Sequence, residues 1–151
     1  IRIMPNINAT VLEAMSAYCC SESVTDDQKE FANKLCFSFG KVMPLSESYF
    51  PLFCSIAGCA PAYAYMFIDS LARSAVKNGM NKSVALEIAA QTVLGSAKKI
   101  LESDEHPWEL IDKVCSPGGT TIEGIVSLQK DGFESAVCNA VDAALQKDKK
   151  V

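Results

Sequence analysis

The sequence predicts a mainly α protein, with a helical bundle over 46–151 preceded by a short α/β segment over 1–45. Two observations lead there. From Ser46 onward every periodic segment places apolar residues three and four apart, the repeat of one helix face. Before Ser46, short strand-like runs flank one capped helix, the pattern of a closing α/β sheet. A third observation marks where the helical pattern breaks: Cys115 to Gly124 concentrates a proline, glycines and hydroxyl side chains.

Ile1 to Met4 reads as a strand with Pro5-Asn6 as its exit turn, and the expectation is a chain that begins inside a larger fold. Met15 to Cys20 reads as a second strand. Thr25-Asp26-Asp27-Gln28 is a capping box, the threonine accepting from the backbone and the glutamine reaching back. The helix behind it carries Phe31, Leu35 and Phe39 at four-residue spacing, and Gly40 is placed to end it in a left-handed conformation. Lys41 to Leu45 is a third strand. Ser48 to about Ile56 predicts a short helix, followed by the small residues Ala57-Gly58-Cys59-Ala60. Pro61 suits a first helical position, with Ala64, Phe67, Ile68, Leu71, Ala75 and Val76 as the stripe behind it and Gly79 as the stop. Asn81 caps the next helix, where Val84, Ala85, Ile88, Ala89 and onward to Leu101 keep the same spacing. Its small residues Ala89, Ala90, Gly95, Ser96 and Ala97 would let another helix approach closely. Pro107 opens a short helix to Val114, a further helix ends near Gly132, and the last runs from Phe133 to about Lys147.

At 151 residues the chain suffices for one ordinary domain with its own core. Its apolar content of 49% is high for a monomer of this size and points to apolar surface covered by a partner. The stripes of small residues point to a homodimer or higher homo-oligomer. A net charge of −4 argues against a nucleic-acid partner, which needs clustered Lys and Arg. Lys147, Lys149 and Lys150 form only a short basic tail, read as a solvated helix end. Seven cysteines without a C-x-x-C pair fit reduced thiols and a cytoplasmic location better than a disulfide framework, and with His106 as the only histidine no metal site is expected. No apolar run is expected to approach the ~20 residues that cross a bilayer, so no membrane partner is expected either.

Two readings of the Cys115–Gly124 stretch stand side by side. It can be a plain helix connection, because Gly, Ser, Thr and Pro are the commonest connection residues, and composition alone leans this way. Alternatively, a helix starting at about Gly118 or Gly119 offers free N–H groups and a positive dipole end to a carboxylate or phosphate, with the Thr121 hydroxyl aimed at the ligand. His106, just ahead of Pro107, reads as a helix-start residue before it reads as a general base.

Val114-Cys115-Ser116-Pro117-Gly118-Gly119-Thr120-Thr121-Ile122-Glu123-Gly124, with Gly132-Phe133 downstream, resembles the signature of the pyrroline-5-carboxylate reductase family. Arg2-Ile3-Met4-Pro5-Asn6, Gly40-Lys41-Val42, Pro61-Ala62-Tyr63, Ala89 to Gly95 and His106-Pro107 resemble that family in the same order. The resemblance implies the C-terminal portion of a two-domain enzyme that reduces 1-pyrroline-5-carboxylate, a small imine carboxylate, to L-proline. Residues 1–45 would be the tail of a Rossmann domain and 46–151 a helical dimerisation bundle that also binds substrate. NADP or NAD would be bound mainly by a region upstream, where the expected G-x-G-x-x-G would lie. By the same resemblance Ser116, Gly118, Gly119, Thr120 and Thr121 bind substrate, Thr121 is catalytic, and Met4, Pro5 and Asn6 sit near the nicotinamide. The fragment alone would be inactive. Ala57-Gly58-Cys59-Ala60 departs from the family's Ser-Gly-Ser-Gly, and Ile7-Asn8-Ala9 from its usual Thr-Pro. The first departure removes two hydroxyls and motivates the alternative of a non-catalytic helical oligomerisation module; a related imine or hydroxyacid reductase is another.

Overall fold

A computed structural model describes residues 1–148 of the chain. Lys149 and Lys150 of the basic tail lie outside the described residues. The chain divides into two compact units, one of Ile1–Tyr63 with the residues from Asn139 onward, the other of Ala64–Cys138.

The first unit begins with the predicted α/β segment. Strands β1 (Arg2–Met4), β2 (Ala14–Cys19) and β3 (Gly40–Pro44) form a sheet in that order. β1 runs antiparallel to β2, with Ile3 opposite Tyr18, and β2 runs parallel to β3, with Ser16 opposite Val42. A parallel pair needs a crossover, and helix α1 (Asp26–Phe37) supplies it. Its capping box forms as read: Thr25 Oγ1 accepts the Gln28 N–H at 3.3 Å and Gln28 Oε1 accepts the Thr25 N–H at 3.0 Å.

Two expectations for this segment are corrected. The buried face of α1 carries Ala32 and Cys36, whereas Phe31 is 70% exposed and Leu35 is exposed as well. The four-residue spacing was right, but the sheet accepts the adjacent row of smaller side chains. Burial pushes the Cys36 thiol above its ordinary range. Gly40, in turn, does not cap α1, which ends at Phe37. It opens β3 at φ +149°, where a Cβ would collide with the Ala14 backbone nitrogen and oxygen and lie 2.8 Å from the Ala14 carbonyl carbon.

The predicted short helix after β3 is part of a longer helical run. A 3-10 turn (Glu47–Tyr49) leads into α2 (Phe50–Phe53), a π turn (Cys54–Gly58) and then α3 (Ala60–Lys77). Phe50 is fully buried, its ring 6.4 Å from that of Phe53, and the Arg2 guanidinium lies 4.7 Å above it while donating to Glu47 at 3.1 Å. The π turn follows from Pro61. A proline ring crowds the carbonyl four residues back, here Ala57, and an extra residue in the turn relieves that crowding. Cys59 accordingly donates its N–H to the Cys54 carbonyl, five residues earlier, at 3.0 Å.

The second unit is all helical, built from the rest of α3, α4 (Lys82–Leu101), α5 (Pro107–Val114), α6 (Thr120–Lys130) and the start of α7 (Phe133–Asp148). Gly79 ends α3 at φ +96°, and Asn81 caps α4 by accepting the Ser83 N–H at 2.9 Å, both as expected. Ala72, Ala85 and Ala89 are the buried cluster, with Ile68 and Ala75 packed against it. Phe67 and Phe133 rings lie 5.9 Å apart. Asp69 pairs with both Lys82 and Arg73, and those two hydrogen bonds hold its carboxylate below the ordinary range. The larger members of the predicted stripes, including Leu71, Val76, Val84 and Ile88, stay exposed. Met66 at 74% and Leu101 at 79% are mostly uncovered. Within this unit the alanines between α3 and α4 are buried, while many of the larger apolar side chains stay exposed.

Candidate active site

The loop between α5 and α6 is shaped by its local chemistry. His106 caps α5: its N–H donates to Glu109 Oε2 at 2.9 Å, and its Nδ1 accepts the Trp108 N–H at 3.2 Å. That pairing supports the helix-start reading, since it commits Nδ1 as an acceptor. α5 closes with the Cys115 N–H on the Asp112 carbonyl at 3.2 Å. The chain then turns through Ser116-Pro117-Gly118-Gly119. Gly118 takes φ +67°, and the Gly119 N–H donates to the Ser116 carbonyl at 2.9 Å. A Cβ on Gly119 would meet the movable Ser116 hydroxyl and come within 3.1 Å of the Ser116 carbonyl oxygen, so the turn is tight at this point.

Gly119 is the N-cap of α6, and it contributes no side chain to cap the helix. The amides that open α6 are therefore left to solvent or a ligand at the positive end of the helix dipole. Thr120 and Thr121 are the first two residues of α6 and both are exposed, as are Ser116 and Gly118, with Gly119 half-buried. The structure thus gathers Ser116, Gly118, Gly119, Thr120 and Thr121 at one helix start, whose uncapped amides and three hydroxyl side chains are groups of the kind that bind an anion.

Met4, Pro5 and Asn6 belong to the first unit. Met4 ends β1 opposite Ala17, Pro5 is exposed, and Asn6 is half-buried at the start of a 3-10 turn (Ile7–Val11). Asn6 does not cap that turn. Its Oδ1 accepts the Met15 N–H at 3.3 Å and its Nδ2 donates to the Ala57 carbonyl at 3.0 Å. The sequence reading missed this second bond, although a proline four residues after Ala57 already signals a carbonyl without its helical donor. In the π turn itself Ser55 is buried and donates to the Leu52 carbonyl at 2.8 Å. Burial first, and the neighbouring Cys59 second, push the Cys54 thiol above its ordinary range. All seven cysteines are free thiols.

The family model described as pyrroline-5-carboxylate reductase dimerisation matches residues 47–151. The chain belongs to that family. Pyrroline-5-carboxylate reductases of Aquifex aeolicus and Escherichia coli are each 39% identical to it over all 151 residues, which cover 57% and 56% of their respective lengths. The chain thus spans a little over half the length of the curated relatives it matches. Among solved structures, 1-pyrroline-5-carboxylate reductase from Streptococcus pyogenes superposes with a TM-score of 0.94 at 42% identity, covering 99% of this chain and 58% of that one. The Plasmodium falciparum pyrroline carboxylate reductase, solved with NADP bound, superposes with a TM-score of 0.92 at 36% identity, covering 98% of this chain and 61% of that one.

Membership in a pyrroline-5-carboxylate reductase dimerisation family confirms the recognition made from the loop and its ordered companion motifs. It also bears on one expectation that the structure corrects. The π turn joins the segments that the sequence separates at Gly58 and Pro61, giving a run of 31 residues, Glu47–Lys77, long and apolar enough by length and composition to cross a bilayer. Only 11% of its most apolar window is buried. The run falls within the residues that the dimerisation family model matches.

Proposed function

We propose that this chain is the substrate-binding and dimerisation part of an enzyme that reduces 1-pyrroline-5-carboxylate to L-proline in proline biosynthesis. The observation that carries the reading is the uncapped start of α6 directly after the glycine turn, within a chain of this family. In this reading residues 1–45 close a dinucleotide-binding domain and 46–151 form the helical domain. Backbone amides around Ser116, Gly118, Gly119 and Thr120 hold the substrate carboxylate. The Thr121 hydroxyl hydrogen-bonds the ring nitrogen and assists its protonation. Met4, Pro5 and Asn6 stand beside the nicotinamide of NADP or NAD, which is bound mainly by a region outside this sequence.

The cofactor, when bound, supplies a hydride to the imine carbon. The C=N double bond becomes a C–N single bond, and one proton reaches nitrogen. The work left to the protein is to orient the ring, neutralise the carboxylate and help deliver that proton. The exposed apolar side chains of α3 and α4 are covered by a second copy of the chain, and the protein acts in the cytoplasm.

Supplied with the imine and NADPH or NADH, the complete protein is expected to oxidise the cofactor in step with proline formation, whereas residues 1–151 alone are expected to give no turnover. Turnover by the fragment would refute the assignment of cofactor binding to a region outside it. A complete protein that dimerises without turning over the imine would favour the non-catalytic oligomerisation module. Sedimentation equilibrium is expected to give twice the monomer mass, and a monomer at micromolar concentration would remove the dimer from the proposal.

A further inference from the structure

We infer that Asn6 is a positioning residue whose side-chain amide clamps the turn after β1 to the π turn, and that Pro61 creates the need for it. Inside an α-helix the Ala57 carbonyl would accept from the N–H of residue 61, and Pro61 has none. The next amide, Ala62, donates instead to the Cys59 carbonyl at 3.0 Å. Asn6 Nδ2 reaches the Ala57 carbonyl from 51 residues away in the sequence, at 3.0 Å. At its other end Asn6 Oδ1 accepts the Met15 N–H at 3.3 Å. One amide therefore ties together three segments: the Met4-Pro5-Asn6 turn, the start of β2 and the π turn. Asn6 and Ala57 are both half-buried, so a carbonyl or an amide left without a partner there would be costly.

The chemistry selects asparagine. The site needs a donor and an acceptor on one short side chain, and aspartate offers only acceptors while glutamine is longer by a methylene. With each polar atom engaged inside the chain, Asn6 acts by fixing where Met4 and Pro5 stand. The catalytic consequence rests on the proposed function; the clamp itself does not.

Asn6→Asp in the complete protein keeps the acceptor for Met15, removes the donor to Ala57 and sets a carboxylate oxygen against that carbonyl. It is expected to speed hydrogen exchange at the Cys59 and Ala62 amides about tenfold and to lower Tm by about 3–6 °C. Pro61→Ala, which returns an N–H to the Ala57 carbonyl, is expected to recover most of both losses in the Asn6→Asp background. Losses that simply add in the double variant, or no loss in Asn6→Asp, overturn the inference. If Asn6→Asp alone does not fold, the double variant decides: a folded protein supports the clamp and an unfolded one refutes it. These readouts need no substrate, so they stand apart from any failure of imine reduction. Where reduction is observed, KM for the nicotinamide cofactor is expected to rise about tenfold in Asn6→Asp and to fall back in the double variant. A KM that stays raised after Pro61→Ala would mean direct contact of Asn6 with the cofactor and would overturn the positioning role.

Discussion

Thr121→Ala is expected to lower kcat for imine reduction about 100-fold, at the low end of what a positioned proton-handling group contributes. Ser116-Pro117-Gly118-Gly119 turns the chain so that α6 opens with uncapped amides, and Thr121 is the second residue of that helix. In the proposed pose a carboxylate held by those amides brings the ring nitrogen to the Thr121 hydroxyl, while His106 Nδ1 is engaged in capping α5. In the proposed function backbone amides hold the carboxylate, so KM for the imine is expected to change little. Thr121→Ser keeps the hydroxyl and is expected to retain most of the rate. Steady-state kinetics with the imine varied at saturating cofactor reads both quantities, and an undiminished kcat in Thr121→Ala would sink the role assigned to this residue.

The second large effect concerns stability. Gly40→Ala is expected to destabilise the protein by about 3 kcal/mol or more, a large share of the ~5–15 kcal/mol typical of a domain. Gly40 and Ala14 are register partners of β3 and β2, and the Ala14 N–H also donates to the Phe39 carbonyl at 3.0 Å. A methyl group on Gly40 would meet Ala14 backbone atoms, which have no flexible side chain to move aside, and the residue would in addition have to hold φ at +149°. Chemical denaturation measures the loss, and a midpoint equal to that of the unaltered protein would contradict the close approach.

Several features were legible because their causes lie within a few residues. The Thr25–Gln28 capping box, the Asn81 cap, the Pro107 start and the Gly79 stop all appear where the sequence places them, each set by a hydrogen bond or backbone restriction spanning four residues or fewer. The start of α6 lies at Thr120, just after the expected Gly118 or Gly119, and the loop motif with its companions identifies the family. Less legible was the use made of each helix face. Phe31 and Leu35 share a row on α1, yet Ala32 and Cys36 are the residues buried. The stripes of α3 and α4 bury alanines at their crossing, while larger apolar side chains face outward. Periodicity identifies that a face is apolar; what lies against it depends on chain elsewhere.

The sequence by itself determined the mainly α character, the Thr25 and Asn81 caps, the Gly79 stop, the glycine turn before α6 and family membership. Only the tertiary structure decided that Gly40 is pressed against Ala14, that Pro61 yields a π turn joining two predicted helices into one run, and that Asn6 answers the Ala57 carbonyl. The physical reason is distance along the chain. Caps and turns are settled by neighbours that any conformation keeps close, whereas a bond across 51 residues exists only once the fold has brought its partners together.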